Sequence, residues 1–159
     1  VSYGYAITTY VGQNLGAKEY RRIRNGVRSG VYMALITSIV ISGVMVITGR
    51  NILSLFVSGE AGQVKQVLDI AYKYLFIMAI FLWVLYLLYV YRSAIQGLGN
   101  TLIPLASGVV EFCMRVGVAL LLPKLIGEDG IFYAEISAWS GAAILLIVSY
   151  VVIIRKYKE

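Results

Sequence analysis

Residues 91–116 read YRSAIQGLGNTLIPLASGVVEFCMRV, and the parsing of this stretch decides the fold. The uncharged run 74–91 leads into it and the apolar run 102–122 leads out. Between them, Gly97 and Gly99 permit backbone conformations closed to other residues, and Asn100 or Thr101 is placed to cap a following helix. Pro104 falls in that helix's first turn, where its missing N–H is harmless. The stretch is therefore a helix end, a reversal and a helix start, and the second helix carries Glu111 and Arg115 within an apolar run. No Lys-Ser/Thr follows the glycines and no strand precedes them, so this is not a phosphate loop and nucleotide binding is disfavoured.

Composition says what such helices are for. Of 159 residues, 60% are hydrophobic and 14% charged, whereas a soluble domain carries about 25% charged residues. The chain reads as an all-α membrane protein. Its net charge of +6 does not point to nucleic acid, because loops on the cytoplasmic side of a membrane protein retain Lys and Arg. One cysteine and no histidine exclude a disulfide framework and a histidine metal site from this segment. The opening VSYGYAITTYVGQ lacks the basic start and cleavage site of a signal peptide and reads as the inside of a helix, as in a fragment of a longer chain.

Four complete transmembrane helices are expected, over about 26–49, 70–91, 102–122 and 132–154, with 1–11 as the tail of a fifth. The connections support alternating directions. Those on one side hold nine Lys and Arg residues (Lys18, Arg21, Arg22, Arg24 and Arg28, then Arg92, then the tail RKYKE), and those on the other hold four. The first side, including the C-terminus, is expected to be cytoplasmic. Within SGEAGQVKQVLDIAYKYL, Ser58 is placed to cap a helix on which Val64, Val67, Leu68 and Ala71 share a face; an interfacial helix and a simple extension of the next span are equally compatible. Small residues recur every four positions at Gly30, Ala34, Ser38 and Ser42, and again at Ala134, Ala138 and Ala142 beside Ser137 and Gly141, as in packed membrane bundles.

Glu111 and Arg115 are the foremost candidates for chemistry. A charge at the centre of a spanning helix costs about 2.5–3.5 kcal/mol on insertion scales, so it usually faces a bundle interior or a water-filled cavity. Their i, i+4 spacing allows them to pair, with Ser107 one turn earlier. Two readings stand: a neutralised structural pair, or a carboxylate that exchanges a proton or cation while the arginine tunes it. Among the aromatics Tyr72, Phe76, Trp83 and Tyr86, the deep pair Trp83 and Tyr86 are candidates for lining a substrate cavity, since ring faces hold organic cations; interfacial belts and packing use the same rings. The basic connection 18–28 serves topology and contact with anionic headgroups. Cys113, in an apolar setting, reads as a small buried residue and not a reactive thiol.

VGQNLGAKEYRRIRNG, followed some seventy residues later by YRSAIQGLGNTLIPLASGVVEFCMR, resembles the multidrug and toxic compound extrusion (MATE) family. The resemblance implies a twelve-helix, two-lobed transporter, of which this chain would be the C-terminal part of the C-terminal half. It implies export of small organic cations across the cell membrane in exchange for H+ or Na+, with no cofactor beyond that ion and no enzymatic activity. The partners implied are the lipid bilayer, the cations and the missing N-terminal helices, not nucleic acid. Gly12, Gln13, Gly16 and Ala17 match the first motif. Arg92, Gln96, Gly97, Gly99, Asn100, Thr101 and Pro104 match the second, and all look like scaffold at cytoplasmic helix ends. Some branches carry a coupling carboxylate in the helix before the second motif, but 74–91 contains no acid. That leaves Glu111 as the deep carboxylate. The alternatives are a flippase for a lipid-linked precursor and a non-catalytic membrane subunit; a headgroup-transferring enzyme would need clustered carboxylates or a histidine site.

Overall fold

A computed structural model describes residues 2–57 and 61–157, and every regular element among them is helical. In chain order these are α1 (Ser2–Gly16), α2 (Tyr20–Ser54), α3 (Ala61–Gly97), α4 (Leu102–Leu121), the short α5 (Pro123–Ile126), a 3₁₀ turn (Glu128–Ile131) and α6 (Phe132–Lys156). Four of them are long and apolar enough to cross a membrane: α2, α3, α4 with its continuation, and α6.

The helices overrun the expected spans. At 35 and 37 residues, α2 and α3 are each over 50 Å long, against about 30 Å of hydrocarbon. The basic stretch expected as a connection is therefore mostly helix, with Arg21, Arg22, Arg24 and Arg28 riding on the first turns of α2. Lys, Arg and Gln are good helix formers, so a helix has no reason to stop where lipid ends. Residues 61–73 likewise continue unbroken into α3, which makes them an extension of that helix. Ser58, expected as a cap, lies outside the described residues.

The α1 and α3 carboxyl ends are built alike. At the end of α3, the N–H of Asn100 donates to the carbonyl of Ile95 (3.2 Å) and that of Gly99 to Gln96 (2.9 Å), with Gly99 at φ +82°. At the end of α1, Glu19 donates to Asn14 (2.9 Å) and Lys18 to Leu15 (3.0 Å), with Lys18 at φ +59°. Both are Schellman closures, which satisfy carbonyls left open at a helix end. Asn100 then starts α4: its Oδ1 accepts the N–H of Ile103 at 3.1 Å, whereas Thr101 makes no side-chain cap.

α3 is the hub, packed against α1, α2 and α6, while α4 lies mainly on α6 and touches α3 lightly. The small-residue stripes are the contact lines. Gly30, Ala34 and Ser38 are buried on α2, and Ser42 Oγ donates to the carbonyl of Ala79 on α3. Ala134, Ala138 and Ala142 are buried on α6, and Gly141 faces Met114 of α4. A further close approach joins α1 to α3. A Cβ on Gly97 would stand 2.7 Å from Val11 Cβ and 2.8 Å from the Thr8 carbonyl oxygen. Thr8 Oγ1 donates to the Ser93 carbonyl at 3.1 Å. Only 6% of the apolar window of α4 is buried, against 33% for α6, so α4 has most of its surface free for lipid or further protein.

Candidate functional site

Glu111 sits about midway along α4, and each of its carboxylate oxygens is held by a different arginine. Arg115, one turn on, donates to Oε1 at 3.2 Å, and Arg92 of α3 donates to Oε2 at 3.0 Å. Arg115 also donates to Glu135 Oε2 on the first turn of α6, at 2.9 Å. Arg92 in turn donates to Ser107 Oγ at 3.2 Å, and the fully buried Ser107 hydroxyl donates to the Pro104 carbonyl at 2.7 Å. The result is a ladder of alternating sign, Arg92–Glu111–Arg115–Glu135, running across three helices. Antiparallel packing explains it: Arg92 is near the end of α3, α4 turns back beside it, and α6 returns with Glu135 at its start.

Two acids against two bases leave the ladder neutral, which removes most of the cost of four charges in apolar helices. It is not sealed. The side chain of Glu111 is 21% exposed and that of Arg115 43%, so its open edge requires water or further protein and not lipid. Neutralising Glu111 would release Arg92 to Ser107 alone while Arg115 kept Glu135. Among the described residues, no three His, Cys, Asp or Glu side chains gather as metal ligands.

The sequence places Glu111 and Arg115 together, but two of the four members lie beyond its reach. Arg92 reads as scaffold in a motif at a helix end. Glu135 carries a faint signal, because an acid in the first turn of a helix is already explained by the helix dipole.

Elsewhere in the bundle, α1, α2 and α3 line a cavity of about 480 Å³ that includes Tyr3, Ala34, Met45, Tyr86 and Tyr89 among its residues, none of them charged. Tyr86 thus reaches a cavity. Trp83 does not line it and is 44% exposed. The ladder and this cavity share no residue.

The motif residues meet each other. Gly12, Gln13 and Gly16 form the last turns of α1, and a Cβ on Gly12 would lie 3.7 Å from the Gly97 carbonyl oxygen. Gln13 and Gln96 are exposed and contribute backbone carbonyls to the two helix ends, accepting from Ala17 and Gly99. Gly97 makes the close approach, Gly99 the left-handed turn and Asn100 the cap; Thr101 is exposed and Pro104 is buried in the first turn of α4. Arg92 alone leaves this scaffold to join the ladder.

Comparison with curated proteins finds no match. The family model described as MatE matches residues 1–121, which takes in both motifs, the turn between α3 and α4 and the first three members of the ladder. With three quarters of its length matched, the chain belongs to the MatE family of membrane transporters.

Proposed function

We propose that the chain is the C-terminal part of a secondary antiporter that exports small organic cations in exchange for H+ or Na+, with its basic end in the cytoplasm. The family match supports transport, and one observation supports coupling: Glu111 lies in a spanning helix between Arg92 and Arg115. In this reading the entering ion competes with Arg92 for Glu111, and loss of that bond frees α4 from α3 while Arg115 and Glu135 keep it on α6. The cavity beside Tyr86 offers ring faces to a cationic substrate. The Lys and Arg excess at the carboxyl ends of α1, α3 and α6 supports the orientation.

The test uses the full-length native protein in proteoliposomes loaded with a fluorescent organic cation. An imposed proton or sodium gradient is expected to drive dye movement in the wild type, and Glu111→Gln is expected to abolish the dependence on the gradient. Gradient-driven transport that survives unchanged in Glu111→Gln would remove the coupling role and leave the ladder a structural device.

A further inference from the structure

Tyr150 is the side chain that the ladder and the aromatic cavity leave unexplained. It stands six residues before the end of α6, is 8% exposed, and its buried hydroxyl meets no hydrogen-bond partner among the described residues. Buried polar groups are almost always paired, so an orphan hydroxyl marks a place where a partner belongs.

The residue lines a pocket of about 250 Å³ where α2, α3 and α6 meet at the basic end, together with Arg24, Val27, Arg28, Val31 and Tyr91. Arg24 Nη2 donates to the Tyr157 carbonyl at 2.8 Å and to that of Ile154 at 3.5 Å, so it is fixed at the carboxyl end of α6. Arg28 donates to the Tyr32 hydroxyl from Nε and Nη2, at 3.4 and 3.2 Å, and its guanidinium lies 5.6 Å from that ring's centroid. Each guanidinium has five N–H donors, so both keep donors beyond those used. No acid lines the pocket.

Two cations and an orphan hydroxyl ask for an anionic oxygen, and the partly exposed Val31 asks for something apolar attached to it. The volume falls below the roughly 300–1,000 Å³ of drug-sized sites. The residues lie about 6–17 Å inside the helix ends, at a rise of about 1.5 Å per residue, where headgroups meet acyl chains. The geometry points to a binding site for the phosphodiester of an anionic membrane phospholipid. Its phosphate rests on Arg24 and Arg28, Tyr150 Oη donates to it, and an acyl chain runs against Val31. Basic pockets between spanning helices are suited to such headgroups, and a free phosphate would gain nothing from Val31.

The full-length protein, purified in detergent, is titrated with phosphatidylglycerol, with phosphatidylcholine and with inorganic phosphate, followed by native mass spectrometry and thermal stability. Phosphatidylglycerol is expected to bind and raise Tm, and the other two to do neither. Tyr150→Phe removes only the hydroxyl, and Arg28→Gln removes a cation that does not cap α6. Each is expected to weaken phosphatidylglycerol binding about tenfold, the loss of one charge-assisted hydrogen bond, with lipid-free Tm at or above the wild-type value for Tyr150→Phe. Equal binding of phosphatidylcholine, reproduction of the effect by inorganic phosphate, or unchanged affinity in either variant would overturn the assignment.

Discussion

The two sides of α3 are joined to their neighbours by opposite means. Toward α1 the join is shape: Gly97 lies against Val11 and the Thr8 backbone with no room for a Cβ. Toward α4 the join is charge: contact is slight, and Arg92 reaches across to Glu111 and Ser107. A shape-fitted seam has one arrangement and ignores ions. A seam held by an ion pair has a second arrangement as soon as one partner is neutralised, so the difference separates a fixed part of the bundle from a part able to move.

Substitutions on either seam break the comparison in turn. Gly97→Leu should be the most damaging, because the new side chain meets backbone on α1; a loss of about 3 kcal/mol is expected, near the upper end of overpacking costs. Thermal unfolding in detergent reads it, and a wild-type Tm would mean that the α1–α3 contact is looser than described. Glu111→Gln should cost about 1–2 kcal/mol, less than a fully buried pair because the site is partly open and Arg115 keeps Glu135. Nitroxide distances between α3 and α4 should broaden in this variant while those between α1 and α3 stay sharp; equal broadening of both would erase the contrast. Asn100→Ala removes the side-chain bond to the Ile103 N–H and should cost about 1 kcal/mol, visible as faster hydrogen exchange over the first turn of α4 alone. The smallest effect sharpens the comparison. Lys18 holds a left-handed conformation that glycine adopts without strain, as Gly99 does at the matching position, so Lys18→Gly should stabilise the α1 end by about 0.5–1 kcal/mol, read as a small rise in Tm.

What the sequence reveals follows from how local each feature is. The four spans, the turn at 97–101, the Gly30–Ala34–Ser38 stripe and the i, i+4 pair all depend on neighbours along one helix, so periodicity exposes them. The ladder does not, since Arg92 and Glu135 join it only through the packing of α3 and α6 around α4. The α1–α3 approach is equally hidden, because Gly4, Thr8 and Gly12 acquire meaning only opposite Ser93 and Gly97. Tyr86 and Trp83 differ for a related reason. The run 74–91 of α3 is apolar on every side, and a helical stretch without a polar face does not announce which ring turns inward. Arg24 shows the converse: it counts toward a charge asymmetry in the sequence, yet in the fold it grips two backbone carbonyls at the end of α6.

The sparse covering of α4 has a practical consequence. Cys113, the single cysteine of the sequence, is exposed and not buried as its apolar setting suggests, because little packs on α4; it lies two residues from Glu111, about 200° around the helix. It is a native attachment point for a spectroscopic reporter that leaves the charged edge untouched. Strong relaxation by dissolved oxygen at that position would signify fluid acyl chains against α4, and an immobilised spectrum would signify a protein neighbour, so one residue reports what the back of this helix touches.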